Sequence, residues 1–380
     1  MPKWDVIVAG AGPAGSSAAK WLADHARSVL LVDKAAFPRP KICGGWVNRK
    51  VFLDFEDLIE HREALTESAF YGLVIHNSQM SKQAEYREDE PVGYLVLREK
   101  FDAGLVDLAK RAGAELIQAV AVDKVENSQS GVTVTLCDGS THTAAALIGA
   151  DGASSTVARQ TGINPGWDQA GLVICCNEDI PLDEAVLDGS YGVGRDRRIH
   201  VWPAYDMIPG FAWLFPKRRH AAVGLGGRTG GTQNISLLYD GFLARLKENA
   251  VLADGAPGGS PRASFIPASG AYQLPSHVKG RTVVVGDAGG FAAGATGEGI
   301  YYGMWSARCA AKLIDEGLAN GDLDAALSRF DETWKRQIGQ SIEAPSGALL
   351  ASLLAMVFTS RKAVNKISRS FLYGESLSVF

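Results

Sequence analysis

The stretch Asp5-Val-Ile-Val-Ala-Gly10-Ala-Gly12-Pro-Ala-Gly15-Ser-Ser-Ala-Ala-Lys-Trp-Leu22 decides the fold. Val6 to Ala9 form an uninterrupted apolar run that reads as a buried parallel strand. Three glycines then turn the chain straight into an alanine-rich helical pattern. Gly10 permits the tight turn, Gly12 lets backbone approach a pyrophosphate, and Gly15 lets the helix pack on the strand. The helix N-terminus then offers free N–H groups and the positive end of its dipole to an anion. A second apolar strand, Ser28-Val-Leu-Leu-Val32, ends at Asp33, at the distance past the glycines where an acid accepts hydrogen bonds from a ribose diol. A glycine-rich turn in any βαβ unit would share the first half of this pattern but not the acid. The predicted ligand is a dinucleotide.

Composition sets the outer limits. With 380 residues and 46% hydrophobic content, the chain is long enough for one large or two intimate domains around a substantial core. A formal net charge of -4 gives no polyanion-binding signal, so nucleic acid is not an expected partner. The five cysteines (Cys43, Cys137, Cys175, Cys176, Cys309) are odd in number and scattered, which fits reduced thiols better than a disulfide framework. None has the spacing of a metal site, and no two of the seven histidines stand at i and i+4. The first strand begins within five residues of Met1, leaving no room for a signal peptide, so a cytoplasmic location is the expectation.

Further along, Phe37-Pro-Arg-Pro-Lys-Ile-Cys43-Gly44-Gly45-Trp46 reads as a rigid loop after the second strand, carried over the middle of the ligand. A structural turn with a buried thiol fits the same residues. Arg98 opens a stretch with apolar residues at helical spacing through Ala109. A cation there is disfavoured by the dipole and calls for an anionic partner such as a phosphate, although solvation at the surface explains it equally well. Strand-like segments follow at Leu116 to Val122 and Val132 to Leu136. Next, Ala144 to Ile148 leads into Gly149-Ala-Asp151-Gly152-Ala-Ser154-Ser155 and Arg159, the end of a strand and the cap of a helix. Near the other end, Thr282-Val-Val-Val285-Gly286-Asp287-Ala-Gly-Gly290 is again a buried strand ending in an acid. Gly294-Ala-Thr-Gly297-Glu298-Gly299-Ile300-Tyr301-Tyr302 and a helical stretch to Leu313 follow it. The dinucleotide domain is therefore assembled from discontinuous pieces.

Together, the first glycine turn with Asp33, Asp151-Gly152 with Arg159, and Val285-Gly286-Asp287 resemble the FAD-binding fold of the flavoprotein hydroxylase superfamily. Within it, Pro40-Lys-Ile-Cys43-Gly44-Gly45 and Gly297-Glu-Gly-Ile-Tyr-Tyr302 resemble the geranylgeranyl reductase family. That family's substrate motif, YxWxFP followed by GxG, is matched by Phe211-Ala-Trp213-Leu-Phe215-Pro216 and Gly224-Leu-Gly226, with Phe211 lacking the tyrosine hydroxyl. The resemblance implies FAD as cofactor. Its implied contacts are Gly10, Gly12, Ala14, Gly15, Asp33 and Lys34 from the first turn and strand. Cys43, Gly44, Arg98, Val122 and Asp151 come from the middle segments, and Asp287, Gly297, Gly299 and Ile300 from the last set. Asp287 would bind the ribitol. The implied fold is α/β: a discontinuous Rossmann-like FAD-binding domain (1–70, 98–165 and 280–325), an inserted mixed-sheet substrate domain (71–97 and 166–279) and a C-terminal helical segment (326–380).

In the insert, Leu172 to Cys176 and Ala221 to Leu225 are strand-like, with the vicinal cysteines inert. Trp202, Tyr205, Phe211, Trp213 and Phe215 line an apolar cavity or simply fill a core. Gly224 to Gly231 is not a second nucleotide site, because the helix predicted over 235–249 leads to the Gly/Pro-rich run 254–261 rather than to a strand ending in an acid. No separate NAD(P) domain is expected. Resemblance to prenyl reductases implies hydride transfer from flavin to an isolated C=C bond of a polyprenyl chain, with electrons from an external donor (NAD(P)H or a reductase or ferredoxin). The dipole of the helix after Gly299 would stabilise the charge of reduced flavin. Cys43, Tyr301 and Tyr302 are the candidates for the proton-donating side of the reaction. Leu349 to Phe358 is apolar but well short of the ~20 residues that span a bilayer. Beyond it Arg361, Lys362, Lys366 and Arg369 accompany Val364, Ile367 and Phe371 at i, i+3 and i+7. This describes a helix packed on the core and closing the substrate site, or one in peripheral contact with an anionic membrane. A flavin monooxygenase shares the same three cofactor motifs, and a flavin-carrying binding or maturation protein is the alternative outside the enzymes.

Overall fold

The computed structural model describes residues 3–169, 172–231, 234–252, 256, 258, 260–344 and 347–377. Within the run 254–261, Asp254, Gly255, Pro257 and Gly259 lie outside the described residues. The chain divides into two units, one of residues 1–40, 99–168 and 267–343, the other of 41–98, 169–266 and 344–380.

Five parallel strands make the middle of the first unit's sheet, in the order Thr282–Val284, Thr141–Gly149, Trp4–Ala9, Val29–Asp33, Glu115–Gln118. Val6, Ile7, Val8 and Ala9 are wholly buried, as a strand covered on both faces requires. Gly131–Leu136 and Val122–Ser128 extend this sheet as an antiparallel hairpin beside Thr141–Gly149. The chain leaves strand Trp4–Ala9 to one side and later returns to its other side, so the strand order reverses at the glycine turn. In such sheets ligands bind outside the carboxyl ends at that point. The register sharpens this: Ala9 pairs with both Val32 and Gly149, and Gly149 pairs with Val284. Gly10, Asp33, Asp151 and Asp287, each at or just past a strand's last residue, are thereby delivered to one edge. Helices Pro13–Asp24 and Ile300–Asn320 pack on each other beside it.

The second unit is built on a seven-stranded sheet in the order Arg262–Ile266, Val173–Pro181, His220–Arg228, Gly210–Pro216, Ile199–Pro203, Gly72–His76, Gln83–Arg87. All neighbours are antiparallel except Ile199–Pro203 with Gly72–His76. Side chains alternate between its faces. Cys176, Ala212, Leu214 and Val223 face a core completed by helix Ile235–Glu248, through Tyr239, Phe242 and Leu246. Cys175, Trp213, Phe215 and Ala222 face the other way, into a core with Trp46, Phe70, Val364 and Ile367. A small sheet of Trp46–Asn48, Gly93–Leu95 and Ser68–Phe70 supports this second face. Helices Gly347–Met356 and Arg361–Tyr373 cover it.

Residues 41–70 thus group with the second unit rather than with the FAD-binding segments, and 344–377 join it instead of standing apart with 326–343. Two long-range pairings are responsible. Trp46–Asn48 finds its partner strand at Gly93–Leu95, and Asn48 Nδ2–H donates to the Leu372 carbonyl at 2.9 Å. Helix Phe330–Ile342 stays with the first unit.

Candidate functional site

The first unit's turn has the geometry its glycines predict. Gly10 adopts a φ of +97°, and a Cβ there would stand 2.3 Å from the Ala150 carbonyl oxygen; a Cβ on Gly15 would stand 1.8 Å from the Gly10 carbonyl oxygen. Gly12 is the N-cap of helix Pro13–Asp24, which has no side-chain cap and no acid in its first turn. The nearest atom to a Cβ on Gly12 is a guanidinium nitrogen of Arg39, 3.7 Å away, so the turn stays open on the side where an anion approaches. Asp33 accepts the Ala11 N–H at 2.7 Å and the Ala35 N–H at 2.8 Å. Its carboxylate thus locks the turn and still has lone pairs for a diol. Arg39 lies 3.9 Å from Asp33 and 3.3 Å from the fully buried Asp102. Nothing in the spacing had marked it, yet it is the cation beside the glycine turn. Lys34 follows Asp33 at the same edge, Val122 opens the hairpin strand, and Arg98 is the first residue of helix Arg98–Ala112, as expected.

The two later acids differ. Asp151 is used up in capping helix Thr156–Thr161: it accepts the Ser155 hydroxyl at 2.5 Å and the Thr156 and Val157 N–H groups at 2.7 and 3.1 Å. Burial raises its pKa against these bonds. Three of its acceptor sites are thus taken within the segment, while the space over Gly152 is open. Asp287 is half-buried on the turn Gly286–Gly289, and no described residue donates a hydrogen bond to its carboxylate. A Cβ on Gly299 would stand 3.3 Å from Asp287 Oδ1, and one on Gly286 3.0 Å from the Ala14 Cβ. Helix, turn and first glycine loop thus meet around an acceptor with spare capacity, which suits a polyol. Gly297 has a φ of +67°, Gly299 is the N-cap of helix Ile300–Asn320, and Glu298 accepts the Tyr301 N–H at 2.8 Å. Tyr301 and Tyr302 are buried, their rings 5.1 Å apart. Burial, and then the Glu298 charge, pushes the Tyr302 hydroxyl well above its ordinary value, the wrong direction for a proton donor.

In the second unit Phe211, Trp213 and Phe215 share one face of strand Gly210–Pro216, with successive ring centroids 5.5 and 6.0 Å apart. The Trp213 indole lies across Gly224, where a Cβ would meet Cζ2 at 2.4 Å. That is the physical reason for a glycine opposite the tryptophan. On top of this face runs the Cys43-Gly44-Gly45 backbone: a Cβ on Gly44 would stand 2.9 Å from Phe215 Cε2 and 3.0 Å from Trp213 Nε1. Asn177, which no sequence signal marked, ties the two together. It donates to the Cys43 carbonyl at 3.1 Å and accepts the Trp213 Nε1–H at 2.9 Å. Behind Gly45 lies the fully buried ammonium of Lys217, 2.5 Å from Asp179. Cys43 is a free, half-buried thiol whose Sγ accepts the Gly45 N–H at 3.3 Å. Burial pushes Cys175 up to about 12 and Cys176 up to about 11, so both remain thiols. Phe371 of the last helix closes the face, stacked on Trp46 at 5.0 Å and edge-on to Phe211 at 5.2 Å.

Residues 3–219 match the family described as FAD binding domain. A digeranylgeranylglycerophospholipid reductase of Methanocella arvoryzae is 30% identical over 359 residues, covering 90% of this chain and 85% of the relative. The chain belongs to the geranylgeranyl reductase family of FAD-dependent oxidoreductases. A menaquinone reductase of Mycobacterium tuberculosis is also 30% identical, over 82% of this chain and 76% of its own length. In fold, a geranylgeranyl bacteriochlorophyll reductase-like protein of Thermoplasma acidophilum superposes with a TM-score of 0.81 at 20% identity, covering 98% of this chain and 97% of that one. FAD is therefore the dinucleotide, and the open glycine turn, Asp33 and Asp287 fit its diphosphate, ribose and ribitol.

Proposed function

We propose that this family member saturates C=C bonds of a polyprenyl chain of geranylgeranyl type, carried on a lipid. The observation that carries the reading is the backbone of Cys43-Gly44-Gly45 laid directly on the Phe211, Trp213 and Phe215 face. FAD held there and reduced by an external electron donor would supply a hydride to one alkene carbon, leaving the other carbon to take a proton. Asp33 and Asp287 hold the cofactor's hydroxyls, and Gly10, Gly12 and Gly15 admit its diphosphate. The aromatic face binds the chain by apolar contact and offers no group to deprotonate a phenol, as a hydroxylase would need. Cys43 Sγ is the proton source on this reading, with the Gly45 N–H placed to hold the resulting thiolate. The relatives' names support a prenyl-lipid substrate. Such a substrate resides in membranes, and we assign peripheral contact to the basic stretch Arg361 to Arg369, which contains no acid.

Reaction under anaerobic conditions is the test. Chemically reduced protein should add two hydrogens per double bond to a geranylgeranyl lipid. Trp213→Ala should raise KM for long chains more than for short ones, since each buried CH2 contributes about 0.8 kcal/mol. Intact double bonds without oxygen, together with a product one oxygen atom heavier in air, would assign the protein to the monooxygenases instead.

A further inference from the structure

Behind the Gly286–Gly290 turn lies a buried ionisable pair with no part in the reading above. His277 is 1% exposed. Its Nε2 is 2.9 Å from the Gly289 carbonyl oxygen and its Nδ1 is 2.6 Å from Asp331 Oδ1. A carbonyl oxygen can only accept, so Nε2 carries a proton. Asp331 also accepts the Ser276 hydroxyl at 2.7 Å, the Trp334 Nε1–H at 3.0 Å and the His277 backbone N–H at 3.2 Å. Burial alone would raise its pKa, but the bond to His277, that residue's charge and the other donors hold the carboxyl well below the usual range. The imidazole thus bridges a helix, Phe330–Ile342, to one carbonyl of the cofactor turn. Phe291, Trp334 and Phe330 wall it in at centroid distances of 4.8, 5.4 and 5.9 Å. Within that wall the Gly289 carbonyl has His277 as its donor, and a buried acceptor deprived of its donor is unstable where it stands.

The turn's other restraints are mostly backbone ones: Ala271 N–H donates to the Gly290 carbonyl at 3.0 Å, Gly290 N–H to the Asp287 carbonyl at 3.2 Å and Gly289 N–H to the Val285 carbonyl at 3.4 Å. Gly290 sits at a φ of +76°, Phe291 N–H closes on the Gly286 carbonyl at 2.9 Å, and the Ser306 hydroxyl accepts the Gly286 N–H at 3.1 Å. None of these bonds touches the Asp287 side chain, whose direction follows from the turn as a whole. We propose that His277 and Asp331 are positioning residues for FAD. Their hydrogen-bonded pair holds Gly289 and sets the turn so that Asp287 meets the cofactor without rearrangement, the ordering having been done in advance. This rests on Asp287 as an FAD ligand, and the test separates the two.

FAD-free protein is prepared for wild type, His277→Phe, His277→Gln, Asp331→Asn and Asp287→Ala, and FAD dissociation constants are measured by flavin fluorescence alongside melting temperatures with and without FAD. His277→Phe and Asp331→Asn should weaken FAD at least tenfold and shrink the FAD-induced rise in Tm. His277→Gln, which keeps one donor and is the variant to read if Phe fails to fold, should fall between. Variants that melt earlier but bind FAD with wild-type affinity would show a purely structural pair and overturn the proposal. Normal FAD binding by Asp287→Ala, with the His277 losses intact, would sink the Asp287 assignment alone; the pair would then be setting the turn's backbone.

Discussion

Asn177 uses both ends of its amide inside the second unit, one on the Cys43 carbonyl and one on the Trp213 indole. Asn177→Leu would strip partners from a buried N–H, worth about 1–3 kcal/mol when left unmet, and from a part-buried carbonyl, worth less. The expected loss is about 2–5 kcal/mol, read as a drop in urea midpoint at unchanged slope. Asn177→Ser, short but polar, should lose less. At this scale the sequence was legible where geometry leaves a compositional mark. Glycines at 10 and 15, and Gly224 opposite the aromatic strand, are visible because no other residue fits, and Gly12 because a side chain there would occupy the open side of the turn. Asn177, Arg39 and His277 left no such mark. An asparagine in a strand, an arginine between prolines or a solitary histidine acquires a role only from partners distant in the chain.

Helix Arg361–Tyr373 shows the same limit one level up. Its basic and apolar periodicity allowed either a core helix or a membrane-facing one, and periodicity cannot say what the apolar stripe meets. In the structure Val364 and Ile367 are 6% exposed, and Phe371 packs on Trp46. The stripe is spent on the unit's own core. Ile367→Ala should therefore destabilise by about 2–5 kcal/mol, as buried Ile truncations do, while the exposed Lys362→Gln should stay within about 0.5 kcal/mol. Thermal or urea unfolding of the two variants decides this. The parallel strands were readable because an apolar run followed by glycines or an acid has few other interpretations. Trp46–Asn48 and Ser68–Phe70, three residues each, are too short for alternation to show. Their assignment depends wholly on Gly93–Leu95.

For the molecule as a whole, charge is unevenly placed. The chain carries a formal net charge of -4, yet residues 344–374 contain four cations and no acid. Arg369 is tied to Glu375, whereas Arg361 and Lys362 are exposed. Among the described residues no helix is long and apolar enough to cross a membrane, and with the helix's apolar stripe buried, the proposed peripheral contact would have to be electrostatic. Each cation at an anionic surface contributes about 1 kcal/mol. Replacing Arg361 and Lys362 by glutamine should lower co-sedimentation with phosphatidylserine vesicles more than tenfold, and added salt should do the same to the wild type. Equal binding to neutral and anionic vesicles would refute this.

The return of the chain to the second unit through residues 361–373 has a consequence in time. Trp46, Phe70, Trp213 and Phe215 are all translated before the helix that covers them. At roughly 5–20 residues per second, the wait between the last strand of that unit, ending at Ile266, and the start of the helix at Arg361 is on the order of 5–20 seconds. Throughout that interval a nascent chain on the ribosome displays an aromatic surface without the helix that completes its cover. Yield in a heterologous host should therefore depend more on chaperone supply and on the speed of translation through residues 267–360 than on the stability of the finished protein.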